Sequence, residues 1–370
     1  MSGLQPPGVQ AGPAPAPRGG LASLHPATFA LVMASGIVSI AASLLISGTI
    51  ARALLVFNLV AYPALWALTL ARAVRHRAQV VADLVHHGRA VGFFTTVAAT
   101  SVLGSQWLVV AGATRAAFAL WIAGIVLWAL LTYTIFTVLT VKRQKPSLAE
   151  GLNGGWLLAV VASQSVAVLG AQLLPGWQPA SREAAAVFCL AMWLGGGMLY
   201  IWIIGLIFYR YTFFPMSPSD LAPPYWINMG AAAISALAGA NLALAAPSSV
   251  IIRELLPFVR GLSLMWWATA SWWIPMLVSL GVWRHVFSKF PLRYDPLYWG
   301  AVFPLGMYTV ATVRMSAALE VTRLVAIARP FVYVALGAWC LAAVGLGGNL
   351  VGRLKLSIGR PRGAMGPPAR

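Results

Sequence analysis

Acidic side chains are nearly absent: seven Asp and Glu stand among 370 residues, and charged residues of both signs make up only 9% of the chain. The seven, Asp83, Glu150, Glu183, Asp220, Glu254, Asp295 and Glu320, fall in loops or near the ends of apolar runs. No inward pair of carboxylates is available for general acid–base work. Cysteine is equally scarce. Cys189 and Cys340 sit inside separate apolar runs, which excludes a disulfide framework and a thiolate metal site. Walker loops and HExxH, GxSxG and CxxC patterns are missing, and nothing in the sequence calls for a metal or an organic cofactor. An enzyme has no catalytic constellation to stand on here.

What is present is apolar. Hydrophobic residues make up 60% of the chain and the mean hydropathy is +0.82, more than a water-soluble domain of this size carries without large exposed patches. Crossing roughly 30 Å of hydrocarbon takes about 20 residues. Runs of that kind lie near 26–46, 52–72, 91–111, 117–137, 152–172, 184–204, 225–245, 263–283, 297–317 and 331–351. The expectation is an all-α integral membrane protein with ten transmembrane helices occupying residues 25–351. The Pro-, Gly- and Ala-rich residues 1–24 and the basic residues 352–370 cannot bury enough apolar surface to fold alone and are expected to be disordered tails.

The net charge of +18 has a one-sided distribution. Of the 25 Lys and Arg, 17 belong to the N-terminal tail, the segments following even-numbered runs and the C-terminal tail. That asymmetry places both termini in the cytoplasm of a multi-pass cell-membrane protein. Insertion and contact with anionic lipid account for the basicity, so nucleic acid is not an expected partner.

The runs are of two kinds. Odd-numbered runs hold 21 Ser, Thr, Asn and Gln against 10 in the even ones, whereas 11 of the 16 Trp belong to the even set. Bulky aromatic faces suit lipid and interfaces, and small or hydroxyl side chains suit close helix approach or a polar passage. The odd runs begin 65, 61, 73 and 72 residues apart, each with an aromatic near its start, which suggests a helical hairpin repeated five times. The simplest architecture is an inner ring of five odd helices inside five even ones, quasi-five-fold, with a central pore. Within the odd helices, Ser35, Ser39 and Ser43 share a face, as do Gly92, Thr96, Thr100 and Gly104, and Asn228, Ser235 and Gly239. Such stripes serve either as packing seams or as the lining of a polar path. Their recurrence on five helices argues for the lining, with Ser35, Ser39, Thr96, Thr100, Gln164, Asn228, Ser235, Gly300, Gly306 and Thr309 as candidates. Arg115, Arg253, Arg260, Arg314 and Arg329 are expected to flank the outer mouth.

Several segments together resemble the tellurite-resistance and C4-dicarboxylate transporter family, relatives of the slow-type anion channels of plant guard cells, the fungal malate permease and the sulfite efflux pump. They are HPATFALVMASGIVSIAA at 25–42, GFFTTVAATSVLGSQ at 92–106, PPYWINMGAAAISALAGA at 223–240, WWATASWWIPMLVSLGVWRH at 266–285 and YDPLYWGAVFPLGMYTVAT at 294–312. The resemblance implies five hairpins around a pore for a small anion, a homotrimer, and a phenylalanine of the ninth helix plugging each pore. Its match here is Phe303, followed by Pro304, with Gly300 four residues before Pro304. Pro304 is expected to kink that helix and open its backbone toward the passage, because proline removes a donor and crowds the preceding turn. Channel members of the family carry prolines in several inner helices, and helices 3, 5 and 7 here carry Gly and Ser instead. A proton-coupled dicarboxylate transporter of the same fold and a non-conducting scaffold or sensor are the alternative readings.

Overall fold

A computed structural model of the chain describes residues 20–292 and 294–358, with side chains as far as residue 352. Ten long helices dominate it: α1 Ala30–Leu45, α2 Gly48–Arg75, α3 Phe94–Ala111, α4 Thr114–Val141, α5 Leu158–Leu173, α6 Pro179–Phe213, α7 Ile227–Ala245, α8 Leu256–Val282, α9 Trp299–Leu319 and α10 Val325–Ile358. Nine helical spans among the described residues are long and apolar enough to cross a membrane. The remaining long helix, α8, has 27 residues, enough length for a crossing, but Trp266, Trp267, Trp272, Trp273 and Pro275 lower its hydropathy.

The odd helices close a ring. α1 packs on α3, α3 on α5, α5 on α7, α7 on α9, and α9 back on α1. Each even helix packs on the odd helix before it and also touches the next one, with α10 lying between α9 and α1. The outer five therefore fill the grooves of the inner five, as the alternation of residue types led one to expect. Burial follows the same division: spans on α1, α3, α5, α7 and α9 are 72–94% buried, against 17–44% for α2, α4, α6 and α10. Val60, Leu130, Trp202, Trp272 and Leu341 on the outer helices are exposed, the surface that a bilayer covers.

Length separates the rings as well. Inner helices have 16 to 21 residues and outer ones 27 to 35. At 1.5 Å per residue the shortest inner helices measure about 24 Å, less than the hydrocarbon thickness. The ring is recessed at its ends. Every inner helix is preceded by a 3-10 turn, Pro26–Phe29, Val91–Phe93, Gly154–Leu157, Pro223–Trp226 and Pro296–Tyr298. Side chains just before three of these turns occupy freed N–H groups: His25 Nδ1 accepts from Ala27 N, Asn153 Oδ1 from Gly155 N and Asp295 Oδ1 from Leu297 N.

Two boundaries differ from the expected tails. Residues 21–23 form a short 3-10 turn, and α10 continues past residue 352 to Ile358. The rest of both expected tails, 1–19 and 359–370, lies outside the described residues.

Candidate functional site: the axis of the inner ring

The five 3-10 turns converge on one vestibule of about 460 Å³, lined by His25, Val91, Asn153, Tyr225 and Leu297 among others. All five inner helices direct their N-terminal, dipole-positive ends toward this mouth. Arg210 adds a fixed charge. It comes from the far end of α6, is 6% exposed, donates to the Tyr225 hydroxyl and lies 3.8 Å from Asp220. Asp220 is held below its usual range first by the Ser217 backbone N–H, with the Ser217 hydroxyl and Arg210 assisting against burial. His25 is pushed down to about 4, chiefly by burial and then by Arg89, and is neutral at physiological pH.

At the other end, the C-terminal halves of all five inner helices enclose a second, tighter cavity of about 10 Å³. Ile37, Val102, Val168, Leu237, Met307 and Val310 give it apolar walls, and Ser105, Gln172 and Arg314 supply the polar groups. Met307, Val310 and Arg314 follow Phe303 at i+4, i+7 and i+11, so the four share one stripe of α9. Phe303 is fully buried. It lies one turn before Met307, which lines the tight cavity.

Pro304 does not break its helix. α9 runs through it from Trp299 to Leu319. Its ring faces α7 instead, where Gly230 has no side chain: a Cβ at 230 would lie 2.7 Å from Pro304 Cγ. Gly306 allows a similar approach to α1, since a Cβ there would lie 2.9 Å from Ile37 Cγ2 and 3.4 Å from Val38 N. Gly300 has looser surroundings: a Cβ there would lie 3.9 Å from Ile227 Cδ1.

The hydroxyl and amide stripes turn mostly away from the axis. Ser39 donates to Ala51 O of α2 at 2.7 Å, Gln164 to Trp193 O of α6 at 2.9 Å, and Asn228 Nδ2 to the Tyr211 hydroxyl of α6 at 2.9 Å. Thr96, Ser235 and Thr309 bond back to Phe93 O, Ala231 O and Leu305 O of their own or preceding turns. Ser35 accepts from Trp339 Nε1 of α10 at 2.8 Å, and Thr100 meets the Tyr62 hydroxyl of α2 at 2.8 Å. Ser35, Ser39, Thr100, Gln164 and Asn228 thus bond across the seams between rings, the packing role that such stripes also fill.

The sequence reading missed the other side of those seams. Each outer helix sends an aromatic polar group to the following inner helix: Tyr62 to Thr100, Trp128 to Ser163, Trp193 to Ser235 O, Trp267 to Thr312 and Trp339 to Ser35, all at 2.8 to 2.9 Å. Tyr62, Trp128, Trp193 and Trp339 are each the fifteenth residue of their helix, and Trp267 is the twelfth, one turn earlier. Their spacing along the chain was the available signal. It matches the hairpin repeat and marks Tyr62, Trp128, Trp193, Trp267 and Trp339 as structural polar groups, whereas Trp202 and Trp272 remain on the lipid-facing surface.

The profile of the voltage-dependent anion channel family matches residues 23–346, which covers all five hairpins. The chain belongs to that family. A membrane protein of Mycobacterium tuberculosis, described as uncharacterized, is 38% identical over 164 residues, 44% of this chain and 80% of its own length. Two uncharacterized transporters of Methanocaldococcus jannaschii are each 23% identical, over 77% and 78% of this chain and 82% of their own lengths. The ring geometry, with a vestibule and a cavity on one axis, is thus set in an anion-channel family chain.

Proposed function

We propose that the protein conducts small anions along the axis of the inner ring, with Phe303 as the plug, in a channel-like or facilitative manner. The observation that supports this reading is a fully buried Phe303 on the face of α9 that carries Met307, Val310 and Arg314 into the tight cavity. The candidate anions are inorganic oxyanions such as sulfite, halides, and C4-dicarboxylates.

Electrostatics agree with anions. Helix N-termini and Arg210 face one mouth, whose lining also holds Glu150 and Asp220, the latter 3.8 Å from Arg210; Arg314 faces the tight cavity, which no Asp or Glu lines. Weak attraction from dipoles and distant guanidinium groups favours fast passage over tight binding. The absence of an acidic or histidine relay in the middle of the described inner helices disfavours a proton-coupled pump. The charge bias of the loops supports a cytoplasmic position for the wide vestibule and both termini, and the cell membrane is the location proposed with this function. A homotrimer is the assembly proposed with this function.

The test is a flux panel on protein reconstituted in liposomes: chloride, nitrate, sulfite, malate and succinate at clamped voltage, with and without a proton gradient. Passive anion flux indifferent to the proton gradient is the expected result. No flux of any anion from correctly inserted protein would leave the scaffold or sensor reading.

A further inference from the structure

The outer surface has a hollow away from the axis of the inner ring. A groove of about 420 Å³ runs between α9 and α10 at the vestibule end of the bundle, lined by Ala301, Val302 and Leu305 of α9 and by Ala338, Leu341 and Ala342 of α10 among others. Alanine on both helices is what makes a trough where larger side chains would meet. Nearer the end of the bundle, the Tyr294 ring occupies the space that a side chain at Gly345 would fill, and Trp226 and Tyr298 complete the lining. From Ala338 to Gly345 the groove follows α10 for about 10 Å, a large part of the roughly 15 Å of hydrocarbon in one leaflet.

The groove leads to a positive charge. Trp226 and Tyr298 also line an adjoining space of about 160 Å³, whose other residues include Arg284 and His285. Arg284 donates from Nη1 to Leu221 O, its guanidinium lies 4.4 Å from the centre of the Phe290 ring, and its buried Nε has no partner among the described residues. The sequence from that arginine, RHVFSKFPLR at 284–293, contains Lys and Arg but no acid. Asp295, the next acid along the chain, accepts from the Leu297 N–H at 2.8 Å, and no Asp or Glu is among the described residues of either lining. An apolar trough with a guanidinium beyond one end matches a ligand that is apolar over its length and anionic at its head. A second copy of the chain matches less well, because a helix about 10 Å across lies over such a trough rather than in it.

We propose that the groove between α9 and α10 holds one acyl chain of an anionic phospholipid whose headgroup phosphate binds Arg284. The site goes beyond anion conduction and does not depend on it. Trough and charge together separate it from the general contact that bilayer lipid makes with exposed side chains such as Val60 and Leu130.

The experiment is native mass spectrometry of the purified full chain, released from detergent in the presence of increasing phosphatidylglycerol or of phosphatidylcholine with the same acyl chains. The wild type is expected to retain one phosphatidylglycerol per chain with an affinity about tenfold or more above that for phosphatidylcholine, the range for a charge-assisted hydrogen bond. Arg284→Gln is expected to abolish that preference and leave phosphatidylcholine retention unchanged. Ala338→Phe fills the trough from a half-buried position on the bilayer-facing helix and is expected to weaken retention of both lipids by about threefold or more. It keeps the test decisive if Arg284→Gln fails to fold. Equal retention of the two lipids by the wild type, or phosphatidylglycerol retention unchanged in Ala338→Phe, would overturn the site. A change of oligomeric mass in Ala338→Phe with lipid retention unaltered would also overturn it, by assigning the groove to a contact between copies.

Discussion

Gly230 on α7 and Pro304 on α9 fit as notch and knob: a Cβ on residue 230 would stand 2.7 Å from Pro304 Cγ and 3.0 Å from its Cβ. Real side chains do not approach so closely, so the notch sets both the spacing and the rotation of the two helices. Since Phe303 precedes Pro304, the same contact fixes the direction of the Phe303 ring.

Gly230→Ala is therefore expected to destabilise the protein by about 1–3 kcal/mol through overpacking and to shift anion flux by turning α9. Pro304→Ala in the Gly230→Ala background is expected to recover part of the stability, which thermal unfolding of the four proteins in a double-mutant cycle measures. Additive effects of the two substitutions would mean that the contact is slack.

The division into inner and outer helices was legible in the sequence because lipid and protein ask for different residues, and the counts of hydroxyl and Trp residues record that difference. The direction of each inner stripe was not. An inner helix is buried on nearly all sides, so periodicity tells which residues share a face but not whether that face meets the axis or an outer helix. Ser35 and Ser39 share a face and both turn to outer helices. Ser105, which does line the cavity, lies on a different face of α3 from the Gly92, Thr96, Thr100 and Gly104 stripe. The packing partner of Pro304 was hidden for a related reason. A helix breaker inside a span reads as an opening, and only the position of Gly230, more than 70 residues earlier, shows that the ring is a packing element.

The aromatic seams predict which Trp residues matter. Trp193 is fully buried and donates to Ser235 O at 2.9 Å, with Gly239 making room for its ring. Trp193→Phe removes the donor and some volume, with an expected cost of about 1–3 kcal/mol. Trp202, exposed on the same helix, should tolerate Phe within about 0.5 kcal/mol. Equal effects at both positions in detergent unfolding would argue against a structural role for the seam.

Stability should respond to pH in two separate windows. His25 has a folded value of about 4 against 6.5 unfolded, so between those values the unfolded chain binds more protons and stability rises with pH. Above 6.5 this contribution is constant. Asp83 is 2.6 Å from Arg72 and 2.5 Å from Arg89, and these partners outweigh burial and hold its carboxyl below 3.8. Its contribution is present above that value and is lost as the pH falls further below it. Unfolding midpoints measured from pH 3 to 8 check the assignment: His25→Gln should flatten the upper window only, and Asp83→Asn the lower one only. Asp83→Asn should also lower stability at pH 7 by about 3 kcal/mol, the cost of stranding the buried Arg72 guanidinium.

Phe303 is where stability and conduction should move in opposite directions. Its ring is fully buried, so Phe303→Ala costs about 3–5 kcal/mol of folding stability if the space does not collapse. The same vacancy lowers the barrier to an anion, and a rise in chloride or nitrate flux of about tenfold corresponds to only about 1.4 kcal/mol. Phe303→Leu keeps much of the plug and should fall between wild type and Ala in both measurements. The combination distinguishes a plug from an ordinary core residue. A core residue that is truncated loses stability and gains no flux, so lowered unfolding midpoints with unchanged flux in liposomes would place Phe303 among the packing residues of α9 and remove the gate from the proposed function.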